Sequence, residues 1–180
     1  MTILNSDYSV VLIIDIQEKL LNAVFNKEIL QKKSEIITKT AGILNLPVII
    51  TEQYPQGLGS TIESIKNTVD AQIFEKNTFS ALDNNEICKT IKFAGRKQIV
   101  LYGIETHICV SQTANALIGA GYEVNVISDA CGSRVLFEHA AGLDRMKSNG
   151  ANIITTEIAL FEWLRGSKHP NFKEIQALIK

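Results

Sequence analysis

Residues 10–14 (Val-Val-Leu-Ile-Ile) form an unbroken apolar run closed by an acid, Asp15. A strand covered on both faces reads this way, because neither side meets water and nothing forces alternation. The signature returns at 47–51, 98–102, 123–127 and, more briefly, 152–155. Residues 72–76 (Gln-Ile-Phe-Glu-Lys) mix polar and apolar positions and predict a short strand nearer a sheet edge. Helical spacing fills the gaps, at 17–24, 27–45, 85–94, 110–120, 137–149, 157–165 and 171–180. In the second of these, Ile29, Ile36, Ala41 and Leu44 share a face, with Leu30 and Ile37 flanking. Thr156 is placed to cap the helix at 157–165. Residues 52–60, with Tyr54, Pro55, Gly57 and Gly59, predict a sharply turning loop.

Six strands separated by helices predict an α/β fold with right-handed crossovers. The simplest form is a three-layer α/β/α, Rossmann-like, doubly wound parallel sheet of six strands in the order 3-2-1-4-5-6. Ligands of such sheets bind beyond the carboxyl ends of the strands, in the crevice between strands 1 and 4. Asp15 closes strand 1, Lys76 closes strand 3, and the turn at 103–109 (Gly-Ile-Glu-Thr-His-Ile-Cys) carries Cys109 from strand 4 into the next helix. The first turn of a helix holds unpaired N–H groups and a partial positive charge, which predicts an easily ionised thiol. Singly, each residue has a blander role. Asp15 fits a helix cap equally well, Lys76 a surface charge, and Cys109 a small buried hydrophobe. Their joint placement at one crevice favours chemistry.

With 180 residues, 46% hydrophobic, the chain predicts a single domain over 1–180. A net charge of −1 with interspersed signs favours neither nucleic acid nor an acidic membrane surface. The apolar runs are too short to span a bilayer, and the first ten residues do not read as a signal peptide. Cys88, Cys109 and Cys131 are odd in number and widely spaced, which predicts no disulfide framework and a reducing, cytoplasmic setting. Cys88 reads as core beside Ile87, Ile91 and Ala94; Cys131 reads as packed, and Trp163 packs the last helices with Leu160 and Leu164. His107, His139 and His169 have no ligand spacing, so no metal is expected. The glycine-rich dinucleotide and phosphate loops and the serine-hydrolase elbow are missing, so no cofactor is expected either. His107 lies too close to Cys109 in the same turn to be its base and reads as a pocket-rim residue.

Residues 12–17 (Leu-Ile-Ile-Asp-Ile-Gln), 74–80 (Phe-Glu-Lys-Asn-Thr-Phe-Ser) and 103–109 together resemble the isochorismatase-like cysteine hydrolases. The stretches 51–59, 129–134 and 169–176 resemble the branch called isochorismatase domain-containing proteins. The resemblance implies Cys109 as nucleophile, Asp15 as its base and Lys76 as the third catalytic member, steadying the thiolate. It also implies a cis peptide at Ile104–Glu105, with the Glu105 and Cys109 N–H groups forming an oxyanion hole. The nicotinamidases of that family hold a metal through Asp and His after the second strand, whereas 52–60 contains neither residue type. True isochorismatases lack the nucleophilic cysteine. The expectation is therefore a metal-free hydrolase of a small amide, carbamoyl or related C–N substrate through an acyl-enzyme. The alternative is a silent binding or regulatory protein on the same scaffold. Gln53, Tyr54, Phe79, Glu105 and His107 are the candidate pocket wall, and a dimer or tetramer is expected.

Overall fold

A computed structural model describes residues 3–180. Strands β1 (Ser9–Ile14), β2 (Val48–Gln53), β3 (Gln72–Lys76), β4 (Gln98–Ile104), β5 (Glu123–Gly132) and β6 (Asn152–Ile154) form one parallel sheet. Its order is β3-β2-β1-β4-β5-β6, as the pattern of runs predicts. β1 and β4, the two central strands, bury every residue, which is why their sequences show no alternation. β3 lies at the edge and is largely exposed until Lys76.

The helices are α1 (Glu18–Ala23), α2 (Lys27–Ile43), α3 (Pro55–Leu58), α4 (Glu63–Lys66), α5 (Asn85–Phe93), α6 (Ser111–Gly119), α7 (Leu136–Ser148), α8 (Thr156–Leu164) and α9 (Phe172–Ala177). α2 packs on β5 and against α1, α4 and α8, while α6 packs on β5 and α7. Trp163 of α8 is buried and its indole N–H donates to Ser9 Oγ at 3.0 Å, tying α8 to the start of β1.

Several local expectations are corrected. Ile36 and Ala41 are buried as expected, together with Leu30, Ser34, Ile37, Thr38 and Thr40, whereas Leu44 is half-buried and Ile29 is 58% exposed. Thr38 tolerates the interior because its hydroxyl pairs with Tyr102 OH at 2.8 Å and donates to the Ser34 carbonyl. Thr155, not Thr156, caps α8, accepting from Ile158 N–H, while Thr156 donates through both N–H and hydroxyl to Asp129. β5 continues through Ser128 and Asp129 because both find partners, Ser128 on the Ile154 carbonyl and Asp129 on Thr156. The 52–60 loop contains α3, entered through Tyr54 at φ 37°. Cys88 is only half-buried, its thiol donating to the Leu82 carbonyl at 3.0 Å. The helix expected at 110–120 is preceded by a π-helical turn, Thr106–Val110, before α6 begins.

Candidate active site

Asp15 leaves β1 with φ 50°, its N–H donating to the Thr51 carbonyl at 3.1 Å. That turn points its carboxylate into the fold, where it is fully buried. Oδ2 accepts from Lys76 Nζ at 2.6 Å and Oδ1 accepts from Thr51 Oγ1 at 2.6 Å. Lys76 comes from the edge strand and reaches past the end of β2 to make this pair. Its remaining ammonium protons go to Gln53 Oε1 at 2.7 Å and to the Thr78 carbonyl at 3.2 Å. A buried ion pair is tolerable when its spare hydrogen-bonding capacity is filled in this way.

The end of β2 is itself fixed. Gln17 Oε1 accepts from Gln53 N–H at 2.7 Å, and Gln17 Nε2 donates to the Gln53 carbonyl at 3.0 Å and to the Gly59 carbonyl. Gln53 Nε2 donates to the Asn77 carbonyl at 3.0 Å, which presents its Oε1 to the lysine.

β4 delivers the sulfur. Gly103 has φ 138°, and a Cβ there would collide with the Ile14 backbone, so β4 can hug β1 at this point only with glycine. The Ile104–Glu105 peptide is cis. The π-helical turn then sets the Cys109 thiol, 6% exposed, against Asp15, with the Glu105 backbone N–H directed at the sulfur.

Cys109 is not the easily ionised thiol that its place in the chain predicts. Burial pushes it up to about 12, the Asp15 charge adds to that, and Lys76 and the Glu105 N–H only partly oppose them. A helix-end field is worth a fraction of what burial beside a carboxylate costs a thiolate. The Cys109 thiol thus lies beside the Lys76–Asp15 pair, with Lys76 favouring its ionisation and burial and the Asp15 charge opposing it.

α7 and the end of β5 hold the turn from behind. Thr106 Oγ1 pairs with His139 Nδ1 at 2.9 Å, and burial lowers the pKa of that imidazole. His107 Nδ1 pairs with Ser133 Oγ at 3.0 Å, and its Nε2 lies 3.8 Å from Glu138. Arg134 Nε meets Glu105 Oε1 at 3.1 Å. Among the pocket-wall candidates, Tyr54 and Phe79 are about half exposed, with Tyr54 N–H on the Lys76 carbonyl. Gln53 and His107 are committed to Lys76 and Ser133. Sequence reasoning missed Thr51 and Gln17; the signal was a polar residue at each end of the same buried crevice. Among the described residues, no cluster of three or more His, Cys, Asp or Glu side chains could hold a metal ion.

Comparison with known proteins agrees with this fold. A profile of the isochorismatase domain matches residues 9–158. Isochorismatase domain-containing protein 1 of Danio rerio is 40% identical over 78% of this chain and 50% of its own length, so the chain spans about half of that relative. A secreted isochorismatase effector of Phytophthora sojae is 37% identical over 96% of this chain and 84% of its own. Among solved structures, the MAR1 ribonuclease of Caenorhabditis elegans superposes with a TM-score of 0.93 at 34% identity, covering 98% of this chain and 91% of that one. YcaC of Pseudomonas aeruginosa, solved with hexane-2,5-diol and covalent acrylamide, gives 0.91 at 25% identity, covering 97% and 90%. YcaC of Escherichia coli, described as an octameric hydrolase of unknown specificity, gives 0.89 at 26%, covering 97% and 94%. By the profile over most of its length and by these relatives, the chain belongs to the isochorismatase family.

Proposed function

We propose that this protein is a cysteine hydrolase acting on a small amide, carbamoyl or related C–N substrate. The observation that carries the reading is the buried Asp15–Lys76 pair at 2.6 Å with the buried Cys109 thiol set beside the same carboxylate. Asp15 takes the thiol proton as sulfur bonds to the substrate carbon, and the carbonyl electrons move onto oxygen. The Glu105 N–H, joined by that of Cys109, receives the oxyanion. Collapse breaks the C–N bond and Asp15 returns the proton to the leaving nitrogen. Water then attacks the thioester, gives a proton to Asp15, and releases the acid as the thiol re-forms. Lys76 offsets the charge that passes between Asp15 and the sulfur. Tyr54 and Phe79 form the rim of the pocket, and no cofactor takes part. Acrylamide is a soft electrophile that adds to thiols, so the covalent acrylamide in the Pseudomonas relative is in keeping with a nucleophilic side chain in that protein.

The test is intact-mass detection of an acyl adduct on Cys109 with a panel of small amides, ureas and carbamates, with an RNA oligomer included because one relative is named a ribonuclease. Turnover unchanged in Cys109→Ala would sink the proposal. A second reading is a binding protein on the same scaffold, in which the buried Cys109 does no chemistry. Multiple turnover of any panel member, lost in Asp15→Asn, would remove it. A reducing, cytoplasmic setting fits three free cysteines, although one relative is named as secreted. No helix among the described residues is long and apolar enough to cross a membrane.

A further inference from the structure

β2 ends between the strands that carry the two charges, and it contributes two side chains that the reaction above does not use. Thr51 and Gln53 are alternate residues of one strand and so share a face. Thr51 is fully buried, and its hydroxyl is committed to Asp15 Oδ1 at 2.6 Å. Valine would fill the same volume after the Val-Ile-Ile run that opens the strand, so packing does not call for the hydroxyl. Gln53 is held through its backbone by Gln17 and through its amide nitrogen by Asn77, leaving Oε1 fixed on Lys76 Nζ at 2.7 Å. The two contacts act in opposite senses. A hydroxyl donor favours the charged carboxylate and so weakens it as a base, whereas an acceptor on the ammonium keeps that group charged and in place.

We propose that Thr51 and Gln53 are a positioning pair that sets where the proton resides among Asp15, Lys76 and Cys109. Thr51 restrains Asp15 from taking the thiol proton in the empty site. Gln53 keeps the ammonium charged and close enough to stabilise the thiolate once it forms. The inference rests on the reading of Cys109 as nucleophile, so its test needs a probe of the sulfur that is independent of any substrate.

That probe is iodoacetamide, with alkylation of Cys109 followed by peptide mass against pH in wild type, Thr51→Val, Thr51→Ser and Gln53→Met. Around neutral pH the wild-type rate is sustained by internal transfer of the thiol proton to Asp15. Thr51→Val raises that neutral rate about tenfold, the equivalent of one pKa unit. Thr51→Ser, which keeps the donor, behaves as wild type. Gln53→Met lowers the neutral rate about tenfold, again one unit's worth, because the thiolate forms beside a less firmly held ammonium. Opposite signs from neighbouring residues distinguish the pair from mere packing, whose loss would move both rates the same way. Unchanged rates, or both moving together, overturn the proposal while leaving the nucleophile intact. A folded wild type in which Cys88 is labelled and Cys109 is inert overturns the nucleophile itself, and the pair with it. Should Thr51→Val fail to fold by circular dichroism, Thr51→Ala removes the same donor and carries the same expected sign.

Discussion

At Cys109 the direct ionisation of the thiol, near 12, is governed by burial first and the Asp15 charge second, with Lys76 opposing. Substitutions of the two charged neighbours should therefore move it in opposite directions. Asp15→Asn removes a repelling charge and brings the alkaline limb of Cys109 alkylation down in pH, and Lys76→Met removes an attracting one and drives it up. Both abolish turnover, since the first removes the base and the second leaves the charge that moves to sulfur without a partner. A pair of alkylation profiles above neutral pH checks the signs, and a shift in the same direction for both variants would contradict this electrostatic account. The same pair makes a stability prediction. Lys76→Met strands a fully buried carboxylate and should cost about 3–5 kcal/mol, whereas adding Asp15→Asn recovers a large part of that loss. Urea midpoints of the two singles and the double variant measure the coupling.

At the scale of elements, the turn that carries Cys109 is held between β1 and α7. Gly142 of α7 sits so close that a Cβ would lie 2.9 Å from His107 Cα, and the contact is with backbone. Gly142→Ala should therefore push α7 off the turn, destabilise by about 1–3 kcal/mol as overpacking does, and slow Cys109 alkylation, although residue 142 touches no reacting atom. His139 supplies the pH dependence of this contact. Its folded pKa is lowered by burial, so the unfolded chain binds the proton first. The contribution is fully present above the unfolded value of about 6.5 and is lost as pH falls through the lower folded value. Urea midpoints at mildly acid and neutral pH should differ less in His139→Gln than in wild type. These elements also mark what was legible in the chain. The strands and their order were, because buried parallel strands write themselves as apolar runs, and Asp15, Lys76 and Cys109 were, because they stand at run ends that the order brings together. Thr51 and Gln17 were not, since their importance depends on which strands are neighbours and on hydrogen bonds a few ångströms long. Ile29 misled because periodicity gives a face but not its phase at a helix end. Cys109 misled because position in the chain predicts the local dipole and says nothing of desolvation.

Over the whole molecule, one run of apolar residues left in water lies behind the turn that carries Cys109. Val135, Leu136 and Phe137 are consecutive and 53%, 62% and 79% exposed at the start of α7, whose next residues hold the turn at 105–109. Phe25 joins them, 45% exposed, its backbone N–H on the Ser133 carbonyl and its ring edge-on to His139 at 5.8 Å. A contiguous apolar surface of this kind is a poor thing for a monomer to present to water and a usual mark of an association face. The expectation drawn from this face is that copies of the chain associate through it. Light scattering should then return a multiple of the 19.9 kDa chain, and Phe137→Glu should shift the distribution toward the monomer. Because the same face backs the turn that carries Cys109, dissociation should also change the alkylation rate of Cys109 while leaving that of Cys88 on α5 unaltered. A monomeric wild type would refute the association. An oligomer indifferent to Phe137→Glu would move its contacts elsewhere on the surface, and a dissociated variant with unaltered Cys109 reactivity would uncouple assembly from the site.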